Sequence, residues 1–232
     1  MTTFLTQLKW QFILLQKNNI ISISFAVTFI YGIILFFLRD VGSLDKLLVA
    51  LVLLDPSVIG YFFIALAIYI EIKHGILEAL FVSSLSIHQL LITRILSLSI
   101  IGTLCSLLMA FSVKGIDFHI LEYSIGSFGV SLLSALLGLI MLPFAKEFLK
   151  FALISIPSFL LFINIPLAAY LNIFDLGPLR YIFPVQGSVD LIDYAVSDTV
   201  IHHGYAYGSI VFFTLVLYYV AYQLFQKKIV QQ

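Results

Sequence analysis

Apolar residues along this chain fall into long blocks separated by short polar stretches. A helix that crosses about 30 Å of hydrocarbon needs about 20 consecutive apolar residues, since each one rises about 1.5 Å. Read between charges, the sequence offers six such blocks: 20–38, about 56–70, about 95–113, about 123–143, about 148–171 and about 209–225. The first stops at Arg39 and Asp40. The second opens on Asp55-Pro56, which has the form of a helix start, with Asp as cap and Pro in the first turn, although 47–54 just before it is also apolar. Pro157 and Pro166 lie inside the fifth. Barrel strands alternate over about 10 residues, whereas these runs are continuous. The expected fold is all-α, a polytopic membrane protein of six spans forming one transmembrane domain over residues 1–232.

Three stretches do not fit a simple span. In 4–17, Phe4, Leu5, Leu8, Phe12 and Leu15 share one face of a helical wheel, with the width of an apolar stripe. Trp10, Lys9 and Lys17 suit the headgroup level, so an N-terminal interfacial helix is expected. The stretch 71–94 carries three charges at its start and then mixes apolar residues with serines. It is too polar to span and too apolar for a free loop, so a short helix pressed against a membrane and a partner is expected there. The stretch 172–208 holds Gly177-Pro178, Tyr181, Pro184, Gly187 and several aspartates. It is long for a connector, and it reads as a re-entrant or surface element capping the bundle on the extracellular side.

Composition agrees with the pattern. Apolar residues make up 62% of the 232 residues, charged residues 10%, and mean hydropathy is +1.12. A soluble domain has about 45–50% apolar and about 25% charged residues. The 12 basic and 12 acidic residues cancel, which argues against a nucleic-acid partner. The single cysteine, Cys105, excludes an intrachain disulfide framework. The first apolar block is longer than a signal-peptide core of about 7–15 residues and no small-residue cleavage site follows, so no secretory signal is expected.

The position of the charges sets an expected orientation. Lys9, Lys17, Lys73, Arg94, Lys146, Lys150, Lys227 and Lys228 fall on the side of the termini; Arg39, Lys46, Lys114 and Arg180 fall on the other. By the positive-inside rule both termini are cytoplasmic. Acidic residues sort oppositely, Glu71, Glu78 and Glu147 inside, and nine others, Asp55 among them, outside. No charge is expected in the middle of any span, and Asn164 is the one strongly polar residue at depth.

Searches for chemistry return little. No G-x-x-x-x-G-K-[ST], H-E-x-x-H or G-x-S-x-G occurs, so nucleotide binding by a phosphate loop, zinc-protease and serine-hydrolase chemistry lack their usual carriers. Asp198, His202 and His203 have a spacing that metal ligands use on a helix, but a solvated loop explains them more simply. No catalytic residue, cofactor site or metal site is expected in this chain.

The chain resembles the permease subunits of type-2 ATP-binding-cassette exporters. The resemblance covers the order of elements and a pattern after the second span on which Glu71, Gly75, Leu77, Glu78, Leu80, Ser83, Leu85, Ser86 and Arg94 fall, with Ser84 where the family has proline. It implies a cytoplasmic coupling helix within 71–94. Glu71, Lys73, Gly75, Glu78, Ser83, Ser84, Ser86 and Arg94 would form or support contact with a separate ATPase subunit, which would hold the ATP and Mg. It also implies a second permease chain, a homodimer or heterodimer in the cell membrane, and a pathway with Asn164, Pro178, Tyr181 and Pro184 along it or at its outer gate. An amphipathic or hydrophobic cargo such as a drug, lipid or peptide is expected. The alternatives are a secondary transporter and a non-transporting scaffold or sensor subunit.

Overall fold

A computed structural model describes residues 2–38, 44–76 and 86–227. Among the described residues the fold is helical throughout. Helix α1 is Thr2–Lys17, α2 Ile20–Leu38, α3 Asp45–Lys73, α4 Ile87–Lys114 and α5 Ile120–Met141. Then come α6, Phe148–Phe159, and α7, Ile165–Tyr170, followed by α8, Gln186–Ser197, and α9, His203–Phe225. Six stretches among them are long and apolar enough to cross a membrane: α2, α3, α4, α5 with the turn after it, α6 through α7, and α9.

Helices α3, α4 and α5 form the centre and pack most extensively on one another. In the apolar stretch led by α5, 72% of positions are buried, against 22% in α2 and 17% in α9. The last two therefore present most of their apolar side chains outward, as helices facing lipid do. Close approach at the centre depends on small residues. A Cβ on Gly60 of α3 would collide with the Ser131 carbonyl of α5. The apolar core has two parts. One, toward the end where α1 and the end of α9 lie, includes Leu15, Ile64, Leu91, Leu136, Phe151 and Phe225. The other, toward α8, includes Leu35, Leu48, Met109, Val130, Val189 and Ile192. We call these the near and far ends.

Several boundaries differ from the sequence reading, each for a local reason. Asp55-Pro56 does not start a helix: α3 begins ten residues earlier, at Asp45, and runs through both. Pro56 cannot donate to the carbonyl four residues back. Ser57 Oγ donates to the neighbouring Leu53 carbonyl, and the helix continues past the unpaired Val52 carbonyl without a break. The apolar stretch 47–54 is thus part of the span. Asp45 in the first turn and Lys73 in the last both complement the helix dipole. The expectation that no charge lies within a span is therefore overturned, because Asp55 is carried into the bundle.

Helix α4 begins at Ile87 where the apolar pattern suggested 95. Its cap is Ser86, whose Oγ accepts the Gln89 N–H at 3.2 Å. The S-x-x-Q spacing is a capping box, and it brings Arg94 inside the helix. Helix α9 starts at His203 where the pattern suggested 209.

The fifth apolar stretch is broken. Pro157 lies in α6, a π-helical turn follows over Leu160–Asn164, and Pro166 sits in the first turn of α7. Pro166 leaves a carbonyl without its usual donor, and the wider turn absorbs the mismatch. In 172–208 the chain forms a 3₁₀ turn, Gly177–Ile182, and then α8. Val189, Ile192 and Ala195 of α8 are buried against α5 and α9. At Gly126 of α5 a Cβ would sit 2.9 Å from the Ser188 carbonyl, so glycine permits that contact. Between α1 and α2 the chain turns at Asn19, with φ of 60°, a conformation that asparagine tolerates.

Candidate functional site

Polar chemistry gathers at three levels of the bundle. At the near end, the last turn of α3 and the second turn of α4 are tied by an ion pair. Arg94 donates from Nη2 to Glu71 Oε2, and both side chains are only 2–3% exposed. Taking both charges out of water costs several kcal/mol per ion, and close pairing is what offsets it. Arg94 Nε and Nη1 have no hydrogen-bond partner among the described residues. Tyr69, two residues before Glu71, shares its one hydroxyl proton between the carbonyls of Leu142 and Ala145 at 3.2 and 3.0 Å, fixing α3 to the turn after α5. His88 of α4 stacks on Tyr222 of α9 and lies 2.8 Å from the Tyr218 hydroxyl.

The residues expected to serve one contact surface are divided. Glu71 and Arg94 are interior and lock the two stems of the 71–94 stretch. Lys73, Gly75 and Ser86 are exposed beside it, and Gly75 has φ of 67° with open space around it. Glu78, Ser83 and Ser84 lie outside the described residues.

At the far end a cavity of about 530 Å³ opens between α3, α7, the 3₁₀ turn and α8. Tyr170, Arg180, Gln186, Asp190, Asp193 and Thr199 line it. Asp193 accepts from the Tyr170 hydroxyl at 2.7 Å and the Thr199 hydroxyl at 2.9 Å. Gln186 donates to Asp190 at 2.7 Å. Burial pushes the Asp190 carboxyl above its ordinary range, Gln186 and Arg180 oppose the shift, and Asp193 adds to it. Asp45 pairs with Lys114 at 2.8 Å and closes α3 onto the end of α4.

The residues expected at a pathway or gate are scattered. Tyr181 is exposed and touches Tyr205 edge-on, with centroids 4.8 Å apart. Pro178 is exposed and Pro184 buried. Asn164 is half-buried at the end of the π-helical turn and does not line the far cavity. Asp198 is engaged by His119 Nε2 at 2.9 Å. Among the described residues, no group of three or more His, Cys, Asp or Glu is placed to hold a metal.

The third level is mid-bundle. Asp55 is 9% exposed and accepts a hydrogen bond from the Thr28 hydroxyl of α2 at 3.1 Å. The Cys105 thiol of α4 is beside the Thr28 hydroxyl and within electrostatic range of Asp55. Asp55 makes no ion pair among the described residues. Sequence reasoning missed this site by taking Asp-Pro as a boundary. The signal available was the apolar run 47–54, which extends the span to about 24 residues and leaves Asp55 within it.

No family model matches the chain, and no curated protein is recognisably similar to it.

Proposed function

We propose that this chain is the membrane permease subunit of an ATP-binding-cassette exporter, paired with a second permease chain and driven by a separate ATPase subunit that carries ATP and Mg. The observation that carries the reading is the Glu71–Arg94 pair. It joins the near ends of α3 and α4, the two longest helices in the bundle at 29 and 28 residues. Both exceed the length that spans hydrocarbon, so the stretch between them is held at one end on two locked stems. A partner that grips the paired ends of α3 and α4 in one state more tightly than in another biases the bundle. In this reading the near end is cytoplasmic, α1 lies in the membrane interface, and the 3₁₀ turn with α8 caps the outer mouth as a re-entrant element. The outward apolar faces of α2 and α9 accommodate lipid and the second permease. The cargo is amphipathic or hydrophobic.

The experiment is co-expression with candidate phosphate-loop ATPase subunits, followed by detergent purification. A stable complex whose hydrolysis depends on the permease is the expected result. A chain that never retains an ATPase sinks the reading. One observation favours a second reading, a secondary transporter: an acidic residue within a span marks an ion or proton pathway by default, and Asp55 is one. Uptake or efflux that follows a pH gradient in vesicles without any ATPase would establish that alternative.

A further inference from the structure

Asp55 and the side chains beside it lie near the middle of their helices on three counts. The midpoint of Asp45–Lys73 is Ile59, four residues or about 6 Å from Asp55 along the axis. Its donor Thr28 is one residue from the midpoint of Ile20–Leu38. Cys105 is within five residues of the midpoint of Ile87–Lys114. A carboxyl at that depth without a cation is costly and persists where it is used.

The surroundings of Asp55 supply no cation among the described residues. Helix α2 brings Thr28 and holds no charge from Ile20 to Leu38. Helix α4 brings Cys105; its charges are Arg94, eleven residues away and paired with Glu71, and Lys114, nine residues away and paired with Asp45. Nine residues of helix are about 13 Å, beyond side-chain reach. On α5 the one charge is Glu122, in the first turn. The charges of α8 face the far cavity, and Lys150 of α6 is in its first turn. Ser24 is turned back to the Ile20 carbonyl at 2.9 Å.

What does face Asp55 suits both of its states. A threonine hydroxyl donates to a carboxylate and accepts from a carboxylic acid by rotating its hydrogen. A guanidinium, such as the one on Glu71, serves the ionised form alone. We propose that Asp55 is a proton-binding site at the centre of the bundle, in the seam between α2, α3 and α4. Its carboxylate takes up a proton supplied by hydronium from the aqueous phase to become the neutral acid, and gives it back to water as hydronium on release, with the Thr28 hydroxyl reversing its role. The inference rests on the burial and neighbours of Asp55 and not on the permease reading, so failure to retain an ATPase leaves it untouched.

The test is pH-difference infrared spectroscopy on the full chain in lipid vesicles, between about pH 5 and pH 9, a range that brackets perturbed carboxyl groups. The expected result is a protonated-carboxyl C=O band that is lost in Asp55→Asn, kept at a shifted frequency in Asp55→Glu, and shifted again in Thr28→Val. Superimposable difference spectra for the wild-type chain and Asp55→Asn would overturn the proposal, since the carboxyl would then hold one state throughout. If Asp55→Asn does not fold, Asp55→Glu decides alone: a band that fails to move belongs to another residue and overturns it equally.

Discussion

Helix α3 carries two buried carboxyl groups sixteen residues apart, and their neighbours differ completely. Glu71 at the near end meets the guanidinium of Arg94, itself buried. Asp55, near the middle, meets one hydroxyl, with a thiol in electrostatic range. The first arrangement is fixed in charge, because each ion is the other's counter-ion. The second is open, because nothing nearby fixes the charge on the carboxyl. One helix therefore holds a group that fastens and a group that is free to change state. The fastened group lies where α3 must hold to α4. The free one lies where α2, the least enclosed of its neighbours, closes over it.

The largest effect expected is at the fastened pair. Glu71→Gln leaves the Arg94 charge buried without its counter-ion, and removing one partner of such a pair costs roughly 3–5 kcal/mol. The thermal midpoint in detergent should fall sharply, and the double variant Glu71→Leu/Arg94→Met should regain most of the loss. If the double variant is as unstable as the single one, the pair is not what joins α3 to α4.

A smaller effect is expected across the seam. Thr28→Val removes the one hydroxyl that donates to Asp55, at a cost of about 1–3 kcal/mol for a buried acceptor left unsatisfied. The same change combined with Asp55→Leu should cost less than Thr28→Val alone, because no acceptor is then left bare. Additive losses measured in the same melts would show that Thr28 acts through packing and not through the carboxyl. Asp55→Asn alone should change stability by no more than about 1 kcal/mol, since the amide oxygen still accepts from Thr28. A drop as large as that of Glu71→Gln would mean that Asp55 is structural, and the contrast between the two carboxyl groups would dissolve.

The amino-acid sequence makes the six apolar stretches legible because span length is imposed by bilayer thickness, and that constraint is written in hydropathy alone. Helix ends are less legible. Ser86 and Gln89 have the spacing of a capping box, which residue identity alone displays, yet hydropathy puts the start of α4 eight residues later, inside the helix. Asp55-Pro56 misleads for the opposite reason: it has the local form of a helix start, but the apolar residues before it carry the helix through. The pairing of Glu71 with Arg94 depends on the packing of α3 against α4, which no local pattern encodes. The same holds for the far cavity, whose lining comes from α3, α7 and α8.

A third carboxyl group, Asp190, gives the finest test because it lies between the two extremes. It borders the far cavity and keeps contact with water, yet burial raises it above its ordinary value of 3.8, with Gln186 and Arg180 opposing and Asp193 reinforcing the shift. An acid raised in the folded chain holds its proton to higher pH than it does when unfolded. Across that window the folded chain binds more protons, so stability falls as pH rises from the unfolded value through the folded one. Above the window the full penalty is present, and below it there is none. Asp190→Asn removes the titration and keeps an oxygen that accepts from Gln186. The variant should therefore match the wild-type thermal midpoint near pH 4 and exceed it by a margin that grows and then levels off toward neutral pH. The margin should be small, because cavity water screens the charge. A difference that stays constant with pH would mean that Asp190 acts through shape and not through its charge. A wet carboxyl would then behave like neither Glu71 nor Asp55, and burial alone would not order the three.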